Sequence, residues 1–398
     1  MFAANSLANG IWIALWAVYF VSVADVSPAV VSTVSLFGGV AGMALAYPVG
    51  SLGDRVDDRY LLALLLTLRG IAALLVSLSS STVLLLAALF ITLGLQSAQT
   101  GLSTSIVATR VDPMSRVKSL SWIRTLQHVL YALTAVAASL VLASGAEIFF
   151  RIALAIGGTM LFAGALMCTR ISRRSAVTSS RADRRIGGST AVKDQAFLLM
   201  MLGSSLLMLC WPVLTVGLPL WITESTVAPP AMAGVCLAIS AIIIITIQIP
   251  VGNKVVTLKH GRYVNLAGSI FLSVVCAGFV IAGETESTRV AVAIILGVTL
   301  LHALAEVLVV TSKWYFSTSM MNDDHAGGYQ SIAAIGDGLA VAVGPAIMIA
   351  LVGTGNTGWC LLGLTFFIVG VFQAIYSRRI LVRTAERAGP SMAPKPEA

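Results

Sequence analysis

Apolar residues run on for twenty or more positions at a time along this chain, separated by short polar breaks. A helix needs roughly 20 such residues to cross a bilayer's hydrocarbon layer. A backbone in lipid must also satisfy its own hydrogen bonds, so each run is expected to be a helix. Twelve segments result: 2–23, 27–49, 60–80, 82–108, 118–143, 148–169, 196–222, 228–252, 263–283, 288–316, 328–352 and 356–377. The sixth and seventh are divided by the one long polar stretch, Thr169 to Asp194. It carries Arg170, Arg173, Arg174, Arg181, Arg184, Arg185 and Lys193 among Ser and Gly, and its composition is that of a flexible linker. The predicted organisation is a six-helix half over 1–169, a basic linker over 170–194, a second six-helix half over 195–378 and a tail over 379–398. The expected fold class is an all-α membrane protein of twelve transmembrane helices in two pseudo-symmetric halves.

Composition narrows the function. Hydrophobic residues make up 58% of the 398 positions and charged ones 11%, against about 25% charged in a soluble domain. That leaves too little polar surface for a water-soluble object of this size. The formal net charge of +8 is explained by topology. With the N-terminus placed in the cytoplasm, the inner loops, linker and tail hold twenty Lys and Arg, and the outer loops hold only Arg151 and Arg289. By the positive-inside rule both termini are cytoplasmic, so the charge implies no nucleic-acid partner. No basic segment precedes the first apolar run and no small-residue cleavage site stands out, so that run is expected to remain as a spanning helix. Five scattered Cys form no CxxC, four His show no metal-ligand spacing, and no GxxxxGK[ST] phosphate loop occurs. Neither an enzyme nor a self-contained ATP-driven pump is indicated, and no metal or cofactor is expected.

The halves echo each other. Pro48-Val49-Gly50 ends the second segment and Arg59-Tyr60 opens the third, while Pro250-Val251-Gly252 ends the eighth and Arg262-Tyr263 opens the ninth. Two six-helix arrays with a weak parallel repeat are a common build for secondary transporters.

Between the second and third segments stands Gly50-Ser51-Leu52-Gly53-Asp54-Arg55-Val56-Asp57-Asp58-Arg59-Tyr60-Leu61-Leu62. It resembles the loop signature of the major facilitator superfamily, G-x-L-x-D-R-x-G-R-[RK]-x-x-L. Gly50, Leu52, Asp54, Arg55, Arg59 and Leu62 match, and Asp57 and Asp58 stand where Gly and Arg are usual. The resemblance implies the twelve-helix fold, alternating access and a gating role for Gly50, Leu52, Asp54, Arg55 and Arg59, which would lock the outward-facing state from the cytoplasmic side. A small residue allows close helix approach, and a carboxylate at this place suits a helix N-terminus or a nearby Arg. Glu306, Trp314, Gly328-Tyr329-Gln330, Gly336 and Gly344-Pro345-Ala346 further resemble a bacterial, largely actinobacterial, subgroup regarded as multidrug or uncharacterised exporters. The Gly-Pro-x-x-Gly-Gly stretch frequent in drug antiporters is missing: the fifth segment has neither Pro nor Gly.

Ionisable residues inside a span are functional candidates by default. Counted at 1.5 Å per residue, Glu306 lies about 15 Å deep. His302 is one turn away on the same face, placed to share or relay a proton. Asp337, between Gly336 and Gly338, is at similar depth. Glu306, His302 and Asp337 are the proton-coupling candidates, with interhelical polar bonds as the alternative. Arg124 is placed to neutralise Asp337 or Glu306 across the halves, to meet an anionic group, or to snorkel to the headgroups; Lys313 is expected to snorkel. Arg69, at mid-depth in the third segment, is assigned a pairing or packing role. Asn5, Asn9, Trp12, Trp16, Gln96, Gln99, Arg124, Gln127, His128 and Trp211 complete a candidate substrate cavity, the aromatics being suited to a flat or cationic ligand. The expectation is a monomeric, proton-coupled exporter of a lipophilic or weakly cationic small molecule in a bacterial inner membrane. An uptake permease for a small polar metabolite, an uncoupled facilitator and a non-transporting receptor or scaffold remain open alternatives.

Overall fold

The computed structural model describes residues 1–172 and 190–388, of which the side chains of Thr190 and of residues 380–388 are left aside. The predicted linker residues Arg173, Arg174, Arg181, Arg184 and Arg185 and the end of the tail lie outside the described residues. Among the described residues, eleven helices are long and apolar enough to cross a membrane, and a bent pair makes a twelfth span. They are α1 (Phe2–Val23), α2 (Pro28–Gly53), α3 (Asp58–Leu78), α4 (Thr82–Arg110), α5 (Pro113–Ser144), α6 (Glu147–Thr169), α7 (Gln195–Ser225), α8 (Met232–Lys254), α9 (Leu258–Glu284), α10 (Thr288–Ser319), α11 (Asp323–Ala342 with Gly344–Val352) and α12 (Asn356–Ala388).

Several helices start earlier than their apolar runs, because polar caps extend them. Asp57 accepts from the Arg59 N–H, Asp194 from the Phe197 N–H and Thr257 from the His260 N–H. Each cap satisfies an amide that the first turn otherwise leaves unpaired. Two spans are irregular. The first helical stretch of α7 ends at Leu207, and the chain passes through Trp211-Pro212 and a π-helical stretch at Val213–Gly217. In α11 a bend of 44° falls at Val343, ahead of Gly344-Pro345, where proline lacks the N–H that would continue the ladder.

Helix α1 packs on α5 and α6, α3 on α4 and α6, α9 on α10 and α12, and α8 on α10. Between the first six spans and the last six, α11 lies against α2 and α4, and α5 lies against α8 and α10. The N-terminus, the segment around the linker, and the α2–α3, α4–α5, α8–α9 and α10–α11 connections share one end of the bundle, here called the linker end; the opposite end is the far end.

Candidate functional site

At the linker end the two sets of six spans are fastened by specific bonds. Asp54 Oδ1 accepts from the Gly327 N–H at 2.7 Å and Oδ2 from the Gly328 N–H at 2.9 Å. These amides lie in the first turn of α11, where N–H groups lack helical partners and favour a carboxylate. The approach requires glycine on both sides. A Cβ on Gly327 would collide with the Gly50 carbonyl oxygen, and one on Gly50 would fall 2.5 Å from the Gly327 carbonyl oxygen.

The rest of the loop motif stays on its own side. Leu52 and Arg55 are exposed. Arg59 forms an ion pair with Asp57 at 2.6 Å and donates to the Ile171 carbonyl at 2.6 Å. Asp58 receives Arg110 in a two-pronged contact at 2.5 and 2.9 Å. The two aspartates that depart from the family pattern therefore take the two arginines of this corner. A second tether was not singled out from sequence: Arg116 donates to Asp323 at 3.1 Å and to the Thr318 carbonyl at 3.1 Å. Nothing local marks Arg116 off from the other basic loop residues. Ser121 of α5 also packs onto Gly252 of α8, beside Gln248, which donates to Thr311 at 3.0 Å.

Near mid-depth, Arg124 forms a buried ion pair with Glu306. Its guanidinium lies 5.6 Å from the Trp211 ring and 6.0 Å from the Trp314 ring, within cation–π range. Of the partners open to Arg124, the structure selects Glu306; Asp337 instead receives Lys313. This corrects the expectation for Lys313, which is 3% exposed and reaches its carboxylate within the bundle instead of the headgroups. A buried Lys joins a carboxylate when one is in reach, because an unpaired buried charge is costly. Lys313 and Asp337 line a narrow cleft of about 20 Å³ with Thr100 and Thr104 of α4, Ser317 of α10 and Gln330 of α11.

Other candidates are placed differently from expectation. His302 does not bond Glu306: its Nε2–H donates to the Cys210 carbonyl at 2.9 Å, at the irregular stretch of α7, and the residue is fully buried. A carbonyl oxygen carries two lone pairs, and the imidazole N–H takes one of them. Trp12 sits in an apolar core with Leu15, Tyr19 and Phe20 and stacks on Trp16, the ring centroids 6.4 Å apart. Asn5, Asn9 and Gln99 turn inward within the first six spans: Arg69 donates to Gln99 and, at 2.9 Å, to Asn9, and Gln99 donates to Asn5 at 2.8 Å. They form a polar knot around Arg69, and among the described residues no hydrogen bond joins these side chains to the opposite six spans. Gln127 donates to Tyr131 at 2.7 Å with His128 beside the same ring, and Gln96 is half-buried on α4.

A family model described as Major Facilitator Superfamily matches residues 1–345. Comparison with curated proteins finds no match. Among solved structures, the chain is similar to the fucose:proton symporter FucP of E. coli, with 14% identity, TM-score 0.71, and 94% of this chain and 96% of that one covered. It is also similar to a bacterial homologue of the iron transporter ferroportin in an outward-facing state, with 14% identity, TM-score 0.65 and coverage of 96% and 98%. A third similar structure is the proton:xylose symporter XylE, with 14% identity, TM-score 0.65 and coverage of 96% and 94%. At these identities the likeness concerns the fold.

Proposed function

The chain belongs to the major facilitator superfamily, and on that premise we propose that it is a proton-coupled transporter exporting a lipophilic or weakly cationic small molecule by alternating access. The carrying observation is the Arg124–Glu306 pair, which joins α5 to α10 at mid-depth between two indoles. Protonation of Glu306 removes one charge of that pair and so weakens one bond between the halves 1–169 and 195–378. A proton that binds one conformer better than the other shifts the balance by that difference. Asp337 offers a second carboxylate, held by Lys313. Trp211 and Trp314 supply the flat faces that an aromatic or cationic molecule stacks on.

The hydrogen bonds identified between the two halves lie at the linker end or at Arg124–Glu306. That pattern supports an outward-facing conformer with the linker end, and both termini, in the cytoplasm of a bacterial inner membrane. The excess of Lys and Arg in the connections at that end agrees with the orientation. One observation favours a second reading, proton-coupled uptake of a small polar metabolite: Thr100, Thr104, Ser317 and Gln330 give the Lys313–Asp337 cleft hydrogen-bonding walls.

The test uses purified full-length protein in liposomes loaded with a pH-sensitive dye, a pH gradient, and a panel of lipophilic cations, neutral antibiotics and small sugars. Substrate moving against the proton flow is the expected result; substrate moving with it establishes the uptake reading. Glu306→Gln is expected to abolish pH-driven transport while leaving gradient-free exchange. Full pH-driven transport by that variant overturns the assignment of Glu306.

A further inference from the structure

Among the described residues, three basic side chains are buried in the interior of the spans, more than one turn from either helix end. Arg124 has Glu306 and Lys313 has Asp337. The third, Arg69, is 2% exposed, and no carboxylate pairs with it among the described residues. Its partners are the carboxamide oxygens of Gln99 and Asn9, which supply dipoles but no counter-charge, and its Nε–H has no partner. A buried cation without a counter-ion is costly.

The guanidinium borders a small cavity between α1, α3, α4 and α6. Trp12, Thr92 and Asn9 line it together with apolar side chains such as Leu154 and Leu161. Two of these lining residues repeat the pattern at Arg69. The Trp12 indole N–H and the Thr92 hydroxyl are buried and unpartnered, in residues 7% and 3% exposed. Asn9 turns its oxygen to Arg69, which directs its NH2 group away from the guanidinium. Indole and guanidinium N–H groups donate only. Three residues that carry an unpartnered polar group, one of them a guanidinium, thus line one cavity. A single polar molecule of water size satisfies the donors; only an anion also balances the charge.

We propose that this cavity binds one small inorganic anion, of which chloride is the physiological example. The cavity is small, about 10 Å³, which is room for one particle of about water size and too little for a phosphate or a carboxylate-bearing metabolite. The bound anion joins Arg69 of α3, Trp12 of α1 and Thr92 of α4 at mid-depth, and so stiffens the first six spans around the Asn5–Gln99–Arg69–Asn9 knot. The site is separate from the Glu306 and Asp337 pairs and does not depend on the direction or cargo of transport.

The experiment is thermal unfolding of the detergent-purified full chain in sodium chloride, sodium bromide or sodium gluconate at one total ionic strength. A ligand that binds only the folded state raises Tm in step with its concentration above Kd. The expected result is a rise in Tm with chloride and bromide relative to gluconate, half-maximal at a defined concentration. Thr92→Val preserves shape and breaks no bond within the protein, and is expected to raise that concentration about tenfold while leaving Tm in gluconate unchanged. Trp12→Phe is expected to act in the same direction, and a bromide anomalous-scattering peak is expected in the cavity. Equal Tm in the chloride and gluconate series overturns the proposal. So does a chloride effect that both Thr92→Val and Trp12→Phe leave untouched, since that is a general salt effect or a water-filled cavity. Arg69→Gln is expected to abolish the halide response; because it can also impair folding, the decision rests on the two milder variants.

Discussion

Gly50 of α2 and Gly252 of α8 occupy repeat-related positions, and each meets a serine of the opposite six spans: Ser331 of α11 for Gly50 and Ser121 of α5 for Gly252. The two contacts differ in what lies behind the serine. At Gly50 the Gly327 backbone is also in reach, and Asp54 clamps the same turn of α11 through two N–H bonds. At Gly252 the nearest groups are the Ser121 side-chain atoms, the Val117 carbonyl standing back at 3.6 Å, with Gln248 as the polar neighbour. The repeat has kept the steric fit twice and the charged clamp once. Closing the linker end therefore depends unequally on two contacts that the sequence repeat makes look alike.

Breaking the Gly50 contact is expected to have the largest effect. Gly50→Val places side-chain atoms against the Gly327 backbone, which cannot rotate away, and overpacking of this kind costs about 3 kcal/mol or more. Maleimide labelling of a cysteine placed at Ser331, with the five native cysteines replaced, is expected to become more than a hundredfold faster from the linker side. Ser331→Gly is expected not to rescue transport, because the backbone clash remains; rescue would show that the two contacts are equivalent.

A smaller effect is expected for Asp54→Asn, which keeps the shape but turns an NH2 donor on one of the two Gly N–H groups, so that bond is lost and the other loses its charge assistance, about 2 kcal/mol. The same labelling rate is expected to rise roughly thirtyfold, with melting temperature little changed. The smallest effect belongs to Gly252→Ala. The serine there turns aside at a cost of about 1 kcal/mol, and Ser121→Gly is expected to restore the wild-type labelling rate. If Gly252→Ala proves as damaging as Gly50→Val, the α5–α8 contact carries more of the closure than its geometry suggests.

Much of this architecture was legible along the chain. The twelve apolar runs correspond to the spans, because a membrane helix must satisfy its hydrogen bonds within its own segment. The Pro-Val-Gly repeat located both glycine contacts. The loop motif located Asp54, though not its partner, which lies 273 positions away at Gly327. What was not legible was mostly pairing. Lys313 looked like a side chain that snorkels, and His302 like a partner of Glu306. Each depends on what the neighbouring helix presents, which period and spacing do not encode. Arg116 escaped notice for the same reason: its acceptors, Thr318 and Asp323, become neighbours only when α5 packs beside α10.

The sequence by itself determined the helices, their number and the uneven distribution of basic residues between their connections, since these follow from local hydropathy and from charges counted loop by loop. Only the tertiary structure decided which buried charges neutralise one another. Arg124 took Glu306, Lys313 took Asp337, and Arg69 was left among amides. The physical reason is that an ion pair forms over a few ångströms, and helix crossings, rather than sequence separation, set which side chains come within that distance.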